Sequence, residues 1–163
     1  MQFVCGLAVG LIVGAVLALV LGIKGVHRQR EAIRKLLAFY RLLVRWLHIR
    51  LHGRGLVEYL EKNGYQNIAI YGKKELGELL YTELESSSVN VSCFIDRDAD
   101  YIISEIEMIR PDEINQYQVD AIIVTAVTYY NEIAENLKNY TSCPVISLSS
   151  VINAILRTVR DGG

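Results

Sequence analysis

No histidine occurs after His52 in this 163-residue sequence. The longest stretch of the chain therefore lacks the side chain most often used as a general acid or base near neutral pH. Other catalytic signatures are missing as well. No tyrosine is followed four residues later by lysine, which removes the Tyr-x-x-x-Lys pair of sugar-nucleotide reductases and epimerases. There is no G-x-S-x-G elbow, no Walker lysine and no cluster of metal ligands. Tyr129 and Tyr130 follow a predicted strand and read as packing residues at a helix start. The chain is also too short to add a separate substrate lobe. These absences argue against an independent enzyme and leave catalysis to a partner subunit. Cysteine is scarce and scattered: Cys5, Cys93 and Cys143 form no CxxC pair and no disulfide framework, so each reads as a small apolar filler.

Charge is absent from Phe3 to Ile23, a run of 21 residues. As a helix it would span about 30 Å, the thickness of a bilayer's hydrocarbon core. A cleaved signal peptide would want positive charge before the run and a small-x-small site after it. Only Met1 and Gln2 precede the run and "LVLGIKG" ends it, so a retained transmembrane helix is expected. Gly6, Gly10 and Gly14 fall on one face of that helix, where a second helix can approach closely.

Acid is then nearly missing before residue 55, and the balance of charge reverses after it. Lys24 to Arg54 holds nine basic residues against the single acid Glu31, a balance of +8. From Gly55 onward eight basic residues face seventeen acids, a balance of −9. Basic residues beside a transmembrane helix favour the cytoplasmic side. The expected arrangement is a single-pass plasma-membrane protein with its C-terminal domain in the cytosol. An acidic domain is unsuited to nucleic acid, whose phosphates attract clustered positive charge.

The segment 24–54 reads as a basic amphipathic juxtamembrane helix ended by Gly53 and Gly55. Ile33, Leu36, Leu37, Tyr40, Leu43, Val44, Leu47 and Leu51 recur at helical spacing, and Arg30, Arg34, Arg41, Arg45, His48 and His52 form another stripe. Two uses compete. The helix can lie on the anionic inner leaflet with Trp46 at the interface, the favoured reading, or pack on another helix or the globular domain. His27, His48 and His52 all lie in this basic stretch and read as membrane-proximal polar residues.

Residues 55–163 show a small α/β pattern. "LVEYLEKNGY" predicts a helix stopped at Gly64, "NIAIYG" a first strand, and "KELGELLYTELESS" a helix with Leu76, Leu79, Leu80 and Leu84 on one side. "VNVSCFIDRD" predicts a second strand, "EIEMIRPDEI" a weaker third closed by Pro111, and "DAIIVTAV" a fourth, apolar enough to be covered on both faces. "YNEIAENLKNY" predicts a helix, "CPVISLS" a fifth strand and "SVINAILRTV" a last helix. Alternating strands and helices imply a parallel sheet, here a small three-layer Rossmann-like sheet of order 3-2-1-4-5. The short link between the second and third strands leaves little room for a helix.

The first strand runs into "YGKKELG". In the dinucleotide fingerprint G-x-G-x-x-G, the first glycine makes the turn, the second admits the pyrophosphate and the third lets helix pack on strand. Gly72 and Gly77 keep the first and third, while Lys74 occupies the second. Lys73 and Lys74 place two positive charges at a helix N-terminus, itself favourable to anions and partly offset by Glu75 and Glu78. Asp96, nineteen residues past Gly77 at the end of the second strand, occupies the position of the ribose-binding acid. Arg97 follows it, Thr125 ends the fourth strand and Ser147 the fifth. The candidate binding set is Gly72, Lys73, Lys74, Gly77, Asp96, Arg97 and Thr125. The compatible ligands are a nucleotide, a sugar nucleotide, NAD or CoA, and no catalytic or metal-binding residue is assigned.

From Trp46 to Ile155, about two-thirds of the chain, the sequence resembles Rossmann-like domains of bacterial surface-polysaccharide and sugar-modification gene clusters. The resemblance rests on "IAIYG…ELG…L", "FIDRD", "VDAIIVTAVTYYNEIAENLKN" and "CPVISLSSVI". The pattern is similar to CoA-binding-like domains and to the N-terminal sugar-nucleotide domain of certain sugar acyltransferases, which share a strand-end "FID". Relatives of this kind usually carry glycine where this chain has Lys74. The resemblance implies a nucleotide-type ligand and a place in cell-envelope polysaccharide biosynthesis. Three roles follow from the whole reading: a membrane-anchored ligand-binding module, a ligand-free structural adaptor that self-associates or recruits a partner membrane protein, or an oxidoreductase or transferase subunit that needs a partner.

Overall fold

The computed structural model describes residues 28–101 and 106–161. The expected transmembrane segment Phe3–Ile23, with Gly6, Gly10 and Gly14, lies outside the described residues, as does His27. Among the described residues no helix is long and apolar enough to cross a membrane. The chain divides into two units, Met1–Phe39 and Tyr40–Gly163. In the first, residues 28–39 are helical, with Ile33, Leu36 and Leu37 exposed and an ion pair of 3.0 Å between Glu31 and Lys35.

The second unit begins with helix α1, residues 40–51, and continues with α2 (Leu56–Lys62), β1 (Asn67–Tyr71), α3 (Glu75–Leu84) and β2 (Asn90–Ile95). A 3-10 turn at Ala99–Tyr101 precedes β3 (Met108–Ile109), and a second at Pro111–Gln116 precedes β4 (Ala121–Val124). Helix α4 (Tyr130–Leu137), β5 (Val145–Ser147) and α5 (Leu148–Asp161) complete it. The five strands are all parallel and hydrogen-bonded in the order β3-β2-β1-β4-β5, as the alternation of periods predicts. The third strand is the weak one, only two residues long, because Pro111 starts a 3-10 turn immediately after it.

Alternation along the strands splits the core into two layers. Ala69, Tyr71, Cys93, Ile95, Ile122 and Val124 point to one face, where Ile133 and Leu137 of α4 and Ile114 cover them. Ile68, Ile70, Phe94 and Ile123 are buried on the other. Helix α3 lies on that second face, its Tyr81 ring 5.9 Å from Phe94. On α3, Leu76, Leu80 and Leu84 are buried, but Leu79, expected among them, is 47% exposed. A three-residue step from Leu76 carries it past the edge of the contact.

Helix α1 departs from expectation. Its buried face is Leu42, Trp46 and Ile49, whereas Tyr40, Val44, Leu47 and Leu51 stay exposed. Trp46 is therefore a core residue of the domain and not a membrane-interface anchor. Its indole Nε1 donates to Glu83 Oε2 of α3 at 2.7 Å. The same carboxylate accepts the Leu56 backbone N–H at 2.7 Å and lies 3.4 Å from Arg50 Nη1. Glu83, with a side chain only 8% exposed, thus joins α1, the start of α2 and α3. Arg45 adds a 3.1 Å hydrogen bond to Asn153 of α5. At the other end of the sheet's first strand, Asp120 Oδ2 accepts the backbone N–H groups of Gln66 and Asn67 at 2.9 and 2.7 Å.

Candidate functional site

In an open parallel sheet, ligands bind beyond the carboxyl ends of the strands, where the strand order reverses. Here that point lies between β1 and β4, whose last residues Tyr71 and Val124 are paired. The turn after β1 begins at Gly72, with φ +94°, a conformation that side-chain-bearing residues rarely adopt. A Cβ there would also come 2.9 Å from Thr125 Oγ1. Gly77, in the first turn of α3, meets a stricter constraint, since a Cβ would overlap the carbonyl oxygen of Gly72. The spacing of these two glycines reports a real close approach of helix to turn.

Between them, Lys74 is the N-cap of α3, with φ −76° and ψ −171°. That is ordinary extended backbone, so the fold does not itself require glycine there. No side chain caps the helix, and the Lys74 carbonyl accepts from Gly77 and Glu78 N–H at 2.8 and 3.0 Å. Lys74 is exposed and Lys73 partly buried.

The end of β2 adjoins the turn. Gly72 N–H donates to the Ile95 carbonyl at 2.9 Å, which places Asp96 beside the turn. Asp96 is half-buried, its N–H donates to Ile109 at 3.0 Å, and its Oδ1 accepts the Asp98 N–H at 3.1 Å. Arg97 reaches across to α4, where its Nη2 lies 2.7 Å from Glu132 Oε1. The bond to Glu132, first, and the nearby Tyr71 hydroxyl raise the guanidinium's pKa. Burial pushes the Tyr71 phenol up, against the opposing pull of Arg97.

Thr125 serves the backbone. Its hydroxyl lies 2.9 Å from the Tyr71 carbonyl and 3.1 Å from that of Gly72, and the residue is buried. It pins β4 to the turn and offers little surface to a ligand. Gly72, Lys73, Lys74, Gly77, Asp96, Arg97 and Thr125 thus gather at one end of the sheet. Tyr71 and Glu132 join them, although sequence pattern did not single them out. Tyr71 is signalled by its place directly before the turn glycine, Glu132 only by lying in the first turn of α4.

Elsewhere, Tyr130 donates its hydroxyl to the Val145 carbonyl at 2.9 Å, while Tyr129 is exposed. Burial pushes the Cys93 thiol up to about 12 and the Cys143 thiol up to about 11. Among the described residues no group of three or more His, Cys, Asp and Glu side chains is placed to hold a metal ion. A cleft of about 410 Å³ between α2 and α5, lined by Arg54, Tyr59, Lys62, Ile155 and Thr158 among others, shares no residue with the crevice.

The fold and the gathered residues define an open, all-parallel five-stranded α/β domain with a glycine-constrained turn at its switch point, an arrangement compatible with the Rossmann-like class. Residues 64–144, from before β1 to the residue preceding β5, match a family model described as C2185-like, N-terminal. That stretch contains the whole crevice but neither α1 nor α5. Comparison with curated proteins found no match.

Proposed function

We propose that this protein is a membrane-anchored module whose cytosolic α/β domain binds a nucleotide or sugar nucleotide, acting as a sensor or scaffold in cell-envelope polysaccharide biosynthesis. One observation carries the binding claim: Gly77 packs so tightly on the Gly72 carbonyl that the uncapped start of α3 is pressed against the turn. Oriented N–H groups and the helix dipole at such a start favour a phosphate. Lys73 and Lys74 add positive charge there, and Asp96, beside the turn, would be the partner of a ribose hydroxyl pair. The anchoring claim draws on the uncharged run Phe3–Ile23 and the +8 segment after it. The polysaccharide role draws on the resemblance alone.

A ligand-free adaptor is the second reading. It is favoured by Arg97, which is engaged by Glu132 and Tyr71, and by Thr125, whose hydroxyl is spent on backbone carbonyls. Isothermal titration of the full chain with UDP-sugars, NAD and CoA separates the two. Binding by the native chain, weakened by Asp96→Ala, supports the module. Binding that appears only in a Lys74→Gly variant supports an adaptor with a lapsed site.

A further inference from the structure

Helix α1 is apolar on two opposite sides, and the domain uses only one. Leu42, Trp46 and Ile49 enter the core, while Tyr40 is 61%, Val44 46%, Leu47 59% and Leu51 76% exposed. At 3.6 residues per turn these four fall in one stripe, roughly opposite the buried one. Four neighbouring apolar side chains held in water on a helix already fixed by its other face need a cover. The flank of this stripe carries Arg41, Arg45, His48 and His52, all exposed. These belong to the +8 segment, whereas the chain beyond it is acidic by nine charges.

We infer that the Tyr40–Val44–Leu47–Leu51 face of α1 lies in the surface of an anionic lipid bilayer. An apolar stripe bordered by arginines matches the acyl boundary and the phosphates of a leaflet at once. The same face of a second copy would offer this flank further cations and no anions, so charge complementarity favours the lipid. The inference rests on the anchored reading and adds an orientation to it. Glu83, which holds Trp46, lies about 12 Å along α3 from the turn at 1.5 Å per residue. The docked face is therefore carried on a helix that meets α3 at its end remote from the turn.

The test uses the full chain reconstituted in vesicles. Leu47→Trp adds one tryptophan on the stripe to the single, buried Trp46, and Glu135→Trp places a control on exposed α4. In vesicles containing phosphatidylglycerol, brominated acyl chains should quench the added emission of Leu47→Trp at least twofold more than that of Glu135→Trp. Arg41→Gln with His48→Gln should reduce the difference, with about a fivefold loss in the docking equilibrium for the arginine. Vesicle flotation without quenching at position 47 would overturn this inference alone, whether water or a second copy covers the stripe. Equal quenching in neutral phosphatidylcholine would overturn the anionic assignment. A chain that does not float would overturn the anchor and this inference together.

Discussion

Replacing Gly77 with alanine places a methyl group where the Gly72 carbonyl oxygen already lies. Considered as a helix residue alone, alanine is better than glycine by about 1 kcal/mol. The contact reverses that preference, because the obstacle is backbone and no side-chain rotation relieves it. The added carbon would also sit 3.1 Å from the Gly72 carbonyl carbon, though its 3.5 Å approach to Phe94 Cε1 is ordinary. Relief requires the turn to leave the helix or the helix to leave the sheet. Overpacking of this kind costs about 1–3 kcal/mol. Moving Gly72 also disturbs its 2.9 Å bond to Ile95 and the 3.1 Å bond from Thr125, each worth about 1 kcal/mol. The net expectation for Gly77→Ala is a loss of about 2–4 kcal/mol. Urea denaturation of the full chain in detergent, followed by Trp46 fluorescence, measures it, with an unchanged slope showing that only stability moved. Gly64→Ala is the control. Gly64 has φ +77° and nothing within 4 Å of where a Cβ would stand, so only the conformational cost of about 1–2 kcal/mol applies. A Gly77→Ala protein as stable as the native chain would refute the close approach on which the site is built.

Two further expectations concern the core. Glu83→Ala leaves the Trp46 indole and the Leu56 N–H without their carboxylate, and should cost about 2–6 kcal/mol at about 1–3 per orphaned donor. Urea denaturation followed by far-ultraviolet circular dichroism reads this, and a change below about 0.5 kcal/mol would mean that α1 is held by its apolar contacts alone. The raised pKa of Cys93 makes stability fall at alkaline pH. The folded chain keeps the thiol proton to about 12, whereas the unfolded chain releases it near 9.0, so stability present below pH 9 is lost as pH rises between those values. The limiting slope is about 1.4 kcal/mol per pH unit for this thiol. Cys93→Ala should flatten that slope even though it shifts the overall stability, and an unchanged slope would contradict the burial of the thiol.

The sheet was readable because its two periods differ. Apolar runs such as "IAIY" and "AIIV" alternate with helical spacing in "ELGELLYTEL", and the short link before Met108 left no helix to misplace. The order of strands followed from that alternation, and the Gly72–Gly77 spacing pointed to a tight turn that the structure contains. Helix α1 was harder. Its residues carry two apolar stripes, and periodicity alone selects the longer one, Tyr40, Val44, Leu47 and Leu51, over the shorter stripe of Leu42, Trp46 and Ile49 that meets the core. Trp46 accordingly looked like an interface residue until its indole was seen on Glu83, which lies 37 residues away in sequence. The Arg97–Glu132 pair is similarly silent, since 35 residues separate its members and only the fold joins them. Thr125 was legible as a strand end, but whether its hydroxyl faces a ligand or the backbone depends on the path of the Gly72 turn.

Calorimetric titration of the native full chain with a panel of UDP-sugars, NAD and CoA tests the central proposal most directly. The expected result is saturable binding of at least one nucleotide, lost or strongly weakened by Asp96→Ala. Heats indistinguishable from dilution across the whole panel would contradict it.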